Sequence, residues 1–276
     1  MFREPAPGRE EQRFPLAADV PRRIQTDAVV LKRSEFGESD RIVTLLTIDQ
    51  GILRALAPAA RRSKKRFGGC LELFTRIEAS IIDKGAGKLA RMEEAVLQDA
   101  HEAVKTDLLS IAHASYLAEL ILVFWGERDE ASQAHALICD ALKRLDSGPL
   151  TTQELRQFEL RVLSLAGFAP SLDACLDCAA KNSRQWMFDH DRGGIVCNQC
   201  AEESRGPRIE PVTPSVLKLL QALQKGGKVP FKASPQTRGA ARALLGRIIQ
   251  GHAGRPLRAR EFLRQLAVEE KAREQK

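Results

Sequence analysis

The chain has 276 residues, 43% of them apolar, and carries 43 Lys and Arg against 36 Asp and Glu for a formal charge of +7. That length allows about two domains with a sizeable core, and no stretch approaches the roughly 18 consecutive apolar residues that a membrane-spanning helix needs. The charge is uneven: basic against acidic residues number 15 to 11 over 22–100, 9 to 16 over 101–204 and 16 to 5 over 205–276. A C-terminal block this basic points to a polyanionic partner and the acidic middle to a different one, a solvated helix surface being the plain alternative.

Residues 1–21 mix charges and prolines with little to bury, so they read as a disordered tail, and they lack the apolar core of a signal peptide. From Thr26 to Leu97 the apolar runs are short and rich in Val, Ile, Thr and Leu: 28–31, 42–46, 52–57, 71–82 and a last one around Leu89–Leu97. Phe36-Gly37, Asp49-Gln50-Gly51 and Gly85-Ala86-Gly87 supply turns between several of them. Five short strands fit a small closed barrel of the OB type, although strand count alone equally allows an SH3-like barrel.

Between the third and fourth strand candidates lies ARRSKKRFGG, residues 60–69. Arg61, Arg62, Lys64, Lys65 and Arg66 on a barrel loop make a mobile positive rim that can follow phosphates without reading bases. Gly68 and Gly69 let the backbone turn sharply or approach a phosphate. A solubilising loop is the alternative, but like charges this dense repel one another and are easier to understand with an anion between them. The rings available here are Phe36, Phe67 and Phe74. Phe74 falls mid-strand and is expected in the core; Phe36 and Phe67 either stack bases or pin their loops, so affinity is expected to be mainly electrostatic.

Past residue 100 the apolar spacing becomes helical. Val104 to Phe124, Ala134 to Leu145 and Leu155 to Ala166 each form a stripe at steps of three and four, predicting three amphipathic helices. Thr213-Pro214 and Ser234-Pro235 are N-cap plus first-turn proline signals leading into helices at Val216–Leu223 and Ala240–Ile249, with a last helix from about Arg260 to Glu270. Between these two helical parts sit Cys175, Cys178, Cys197 and Cys200, two C-x-x-C pairs with eighteen residues between the inner two. That spacing lets four thiolates close a tetrahedral shell around one structural Zn2+, leaving no open position for substrate. Trp186-Met187-Phe188 reads as a short strand and Gly193-Gly194 as the turn that folds it back. Two redox C-x-x-C motifs are the competing interpretation, but the thioredoxin-like context is missing. Reduced thiols in this pattern suit a cytoplasmic chain. Cys70 and Cys139 are expected to be small buried hydrophobes.

The chain lacks a phosphate-cradling G-x-x-x-x-G-K-[ST] loop, an H-E-x-x-H motif and an acid cluster for two magnesium ions, so catalysis is not expected. His101, His113, His135, His190 and His252 are scattered and read as surface residues or as residues behind a ligand shell; His190 would replace a cysteine as ligand only if the cysteine pairing were different.

The run ESDRIVTLLTIDQG at 38–51, then ARRSKKRFGG and LELF to Phe74, then HASYLAEL at 113–120 and finally the C-x-x-C pairs occur in an order that resembles the RecO family of bacterial recombination mediators, over roughly residues 22–265. The resemblance implies an α+β, multidomain chain: a tail at 1–21, an N-terminal OB-fold β-barrel at 22–100, and an all-α helical domain at 101–170 and 205–276 with an inserted zinc ribbon at 171–204. It also implies a cytoplasmic, nucleoid-associated role in recombinational repair: binding single- and double-stranded DNA, annealing complementary strands, contacting RecR and the C-terminal tail of single-stranded DNA-binding protein, and helping to load a recombinase. The cysteines map onto the family's metal ligands and the five cations onto its basic barrel loop. A departure is Leu56-Ala57-Pro58-Ala59-Ala60, where the family pattern leads one to expect a glycine and a basic residue. A zinc-ribbon interaction scaffold without direct DNA binding is the alternative reading.

Overall fold

A computed structural model describes residues 21–85, 87–204 and 208–274; residues 1–20 of the expected tail lie outside the described residues. Five strands, β1 (Arg22–Phe36), β2 (Asp40–Thr47), β3 (Gly51–Ala57), β4 (Arg76–Asp83) and β5 (Ala90–Asp99), close into a barrel in the order β1-β2-β3-β5-β4. Every ladder is antiparallel except the short β3–β5 seam.

The strand-forming run 28–31 is apolar throughout because both its faces are covered. Ala28 and Val30 point into the barrel with Val43, Leu45, Ile77 and Ile81, whereas Val29 and Leu31 point outward into the helical core. Period-two alternation thus splits one strand between two cores, and the barrel wall is also the floor of the helical body.

The fourth strand starts later than its sequence suggests. Residues 71–75 form a turn, with Phe74 in the left-handed region at φ 66, its N–H bonded to Val30 O at 2.8 Å. Phe74 is buried as expected but is not mid-strand, and Leu71 closes the barrel end beside it.

After α2 (Glu102–Thr106), Asp107 breaks the helical run and caps α3 (Leu108–Phe124) by accepting from Ser110 N at 2.7 Å. This helix is not amphipathic: buried residues lie all round it, from Ser110 to Ile121, because it runs through the centre of the body. Against it pack α4 (Ser132–Leu145), α5 (Thr152–Leu165) and α9 (Arg258–Glu274), while α7 (Pro214–Gln224) and α8 (Pro235–Ala253) pack on α5 and on each other. A Thr151–Glu154 capping box starts α5, and Thr213 and Ser234, each followed by proline, start α7 and α8 as their sequences predict.

The histidines depart most from expectation. His101, His113 and His135 are 4%, 6% and 3% exposed, buried rather than at the surface. His113 accepts a hydrogen bond from Leu150 N at 3.2 Å through Nδ1, so its neutral form is the one built into the fold. Burial, then the Arg156 charge, push its pKa down to about 4 from 6.5. A depressed folded-state value means that the stability it contributes is fully present above pH 6.5 and lost as pH falls toward 4; that interval corresponds to about 3 kcal/mol. Urea melts at pH 7 and 4.5 are expected to show this loss in the wild type and a much flatter profile in His113→Gln; matching profiles would contradict it.

Barrel and helical body are joined by ion pairs. Arg128 grips Asp83 through both carboxylate oxygens at 2.8 and 2.7 Å, and Arg76 holds Asp27 beside His135 of α4. Gly51 lies at this junction at φ +59, where a Cβ would come within 2.7 Å of Asp129 O, so only glycine fits.

Candidate nucleic-acid interface and metal centre

Pro58 ends β3, and the chain turns at Ala59 with φ 55, a left-handed conformation that favours glycine. This is the segment where the family pattern leads one to expect a glycine; the alanine holds the conformation because Asp40 Oδ1 accepts from its N–H at 2.8 Å. The basic segment that follows is ordered, with a short helix α1 (Lys64–Phe67).

Its cations fall into two groups. Arg61 donates to Glu38 O at 3.1 Å and pairs with Glu35, and Arg66 donates to Pro58 O at 2.8 Å and lies over the Phe67 ring, so both fasten the segment to the barrel. Arg62 and Lys65 are exposed and have no ion-pair partner among the described residues. The side chain of Lys64 lies outside the described residues. Phe67 is 3% exposed and pins the segment rather than offering a stacking face, whereas Phe36, the last residue of neighbouring β1, is 51% exposed.

Two further cations extend this edge. Arg54 on β3 and Arg91 on β5 are exposed and without ion-pair partners among the described residues, and the register sets Arg91 beside Leu56, two positions along the outer face from Arg54. Their signal in the sequence is a lone arginine within an apolar strand run, which marks the outward face.

The ribbon brings all four cysteines together. Strands β6 (Trp186–Asp189) and β7 (Gly194–Cys197) form the expected hairpin, and a third strand, β8 (Ile209–Val212), lies on the other edge of β6, beyond the 171–204 segment. Cys197 ends β7, and Cys200 lies in the first turn of α6 (Asn198–Ser204). The four Sγ atoms lie within 4.8 Å of one another, none is in a disulfide, and Cys178 and Cys197 are 3.7 Å apart. Zn–S bonds of about 2.3 Å in a tetrahedron set sulfurs about 3.8 Å apart, so the donor set fits such an ion.

The backbone is arranged for thiolates. Burial opposes ionisation of Cys175, but N–H groups of Cys178, Cys197 and Asp177 outweigh it and pull its pKa down to about 6. Cys200 moves far the other way, its proton held by the sulfurs of Cys197 and Cys178. Four thiolates at this spacing need a cation among them. His190 is not a ligand: its Nε2 bonds Glu210 at 2.7 Å. Asp99, His101 and Asp146 also converge, but a 2.6 Å hydrogen bond between His101 Nδ1 and Asp146 closes that cluster on itself.

A partly apolar groove with basic residues in its wall lies between α5, α7 and α8. It encloses about 190 Å³, lined by Leu219, Leu223, Val229 and Phe231 with Arg156 and Arg238. Among the described residues no helix is long and apolar enough to cross a membrane.

Residues 22–101 match the family described as Recombination protein O N terminal, and residues 105–261 match Recombination protein O C terminal. Curated relatives named DNA repair protein RecO include those of Myxococcus xanthus, 36% identical over 90% of this chain and 99% of that protein, and Anaeromyxobacter sp. strain K, 37% identical over 87% and 96%. That of Geobacter sulfurreducens is 32% identical over 88% of this chain and 98% of its own length. With both halves matched in order at this identity, the chain belongs to the RecO family, a family of DNA repair mediators and not of enzymes.

Proposed function

We propose that this chain binds single- and double-stranded DNA, anneals complementary strands and helps to load a recombinase onto strands coated with single-stranded DNA-binding protein. The observation that carries the reading is the pair of exposed cations Arg62 and Lys65, without ion-pair partners among the described residues, on a segment fastened by Arg61 and Arg66 beside exposed Phe36. Annealing two polyanions requires lowering their repulsion while leaving base edges free, and a fixed cationic edge without base-reading groups suits that task.

In this reading residues 22–100 are an OB-fold nucleic-acid-binding domain, with Arg54 and Arg91 continuing the phosphate track, and Lys64 contributes with its neighbours. Cys175, Cys178, Cys197 and Cys200 hold one structural Zn2+ that stiffens an insertion in the helical domain of 101–170 and 205–276. The groove with Arg156 and Arg238 receives the acidic C-terminal tail of single-stranded DNA-binding protein, its apolar walls taking the tail's apolar side chains. RecR is the working partner, in the cytoplasm at the nucleoid.

The test is an annealing assay with complementary labelled oligonucleotides at low salt. The full chain is expected to accelerate duplex formation and to leave both strands intact with or without added magnesium. Unchanged annealing would favour the interaction scaffold, and strand cleavage would overturn the non-catalytic reading.

A further inference from the structure

A second aromatic and basic site lies where the ribbon meets α8, far along the chain from the barrel rim. Phe168, just past the end of α5, stacks on His252 at 4.3 Å between ring centroids and 26° between planes, yet remains 43% exposed. Beside this platform a cleft of about 210 Å³ has Gly251 in its wall and Arg208 and Arg247 around it. Both arginines are more than half exposed, and among the described residues their ion pairs are with Asp191 and Glu210 only. Glu210 is shared between Arg247 and His190, so its charge is already countered, and exposed pairs of this kind exchange readily for another anion.

We propose that this cleft takes an unpaired base of a DNA single strand, stacked at Phe168 and His252, with the flanking phosphate on Arg208 and Arg247. A flat ring platform, a cavity of nucleobase size and two cations at its edge match one nucleotide; the space is too small for a helix or a folded partner. The C-terminal block in which three of the four residues lie carries 16 basic against 5 acidic residues, which favours an anionic occupant. The inference rests on the reading of the chain as a strand-pairing protein and adds a second strand contact on the same body, as holding two strands at once requires.

The experiment uses the full chain and a 20-nucleotide single strand carrying 5-iodouracil. Ultraviolet crosslinking is expected to join the oligonucleotide to Phe168 or His252. Phe168→Leu, which keeps apolar bulk and removes the π face, is expected to weaken single-strand binding about tenfold and to leave duplex binding unchanged, because paired bases are not available to stack. His252→Ala is expected to act in the same direction at an unchanged melting temperature. Absence of crosslinks in the cleft, equal loss of single- and double-strand binding, or wild-type affinity in both variants would each overturn the inference. Arg62→Ala/Lys65→Ala separates it from the rim: loss confined to the rim variant removes the cleft, and loss confined to the cleft variants removes the rim.

Discussion

Cys197→Ser is expected to abolish tight metal binding and to unfold the ribbon, lowering the melting temperature far more than any surface substitution in the chain. Cys197 is 6% exposed, ends β7 opposite Trp186, and its N–H donates to Cys175 Sγ at 3.3 Å, so this one residue belongs both to the ligand set and to the sheet. The ribbon's strands are four residues each, too short to stand without a staple. Structural zinc in small peptides contributes apparent binding free energies of about 10–16 kcal/mol, much of it realised as folding. Because Phe188, Ile195 and Val196 belong to the helical core, loss of the ribbon also uncovers that core. Elemental analysis is expected to give one zinc per wild-type chain and none per variant, and calorimetry a large drop in melting temperature. A variant that melts with the wild type would show that the metal is not structural. Preserved single-strand binding in the remaining folded fraction would assign the ion to scaffolding.

Arg62→Ala/Lys65→Ala is expected to weaken single-strand binding about 25-fold at 0.1 M salt. Each phosphate contact releases about 0.7 counterion from a single strand, which at that salt is worth about fivefold. Neither side chain has an ion-pair partner among the described residues, so the melting temperature should not move, and the salt slope should become shallower by about 1.4. Arg66→Ala is the contrasting variant. It removes the bond to Pro58 O and the contact with Phe67, so the segment loosens and stability falls along with affinity. Wild-type affinity in a folded double variant would take this edge out of the binding surface.

Much of this architecture was legible because apolar period and cysteine spacing are local signals. The barrel strands, the capped starts of α7 and α8 and the convergence of the four cysteines all follow from residues near one another in the chain. What escaped reading depends on distant contacts. Strand β8 contains Pro211, which argues against a central strand; it is tolerated because β8 lies at the sheet edge. Residues 71–82 look like one strand because Leu71 and Phe74 are apolar, but Leu71 closes the barrel end and Phe74 joins the helical core, and neither lies along the barrel wall. The division of the basic segment into fastening and free cations is set by Glu35, Glu38 and Pro58, which composition does not connect to it. Arg54 and Arg91 are distant in sequence, and the parallel β3–β5 seam sets them on one face.

In the proposed function this protein gathers DNA strands by neutralising phosphate, so its affinity for a single-stranded oligonucleotide is expected to fall steeply between about 20 and 300 mM salt. Contact with about four to five phosphates gives a log–log slope of about −3 to −3.5. A flat dependence, or no binding at the lowest salt, would contradict it.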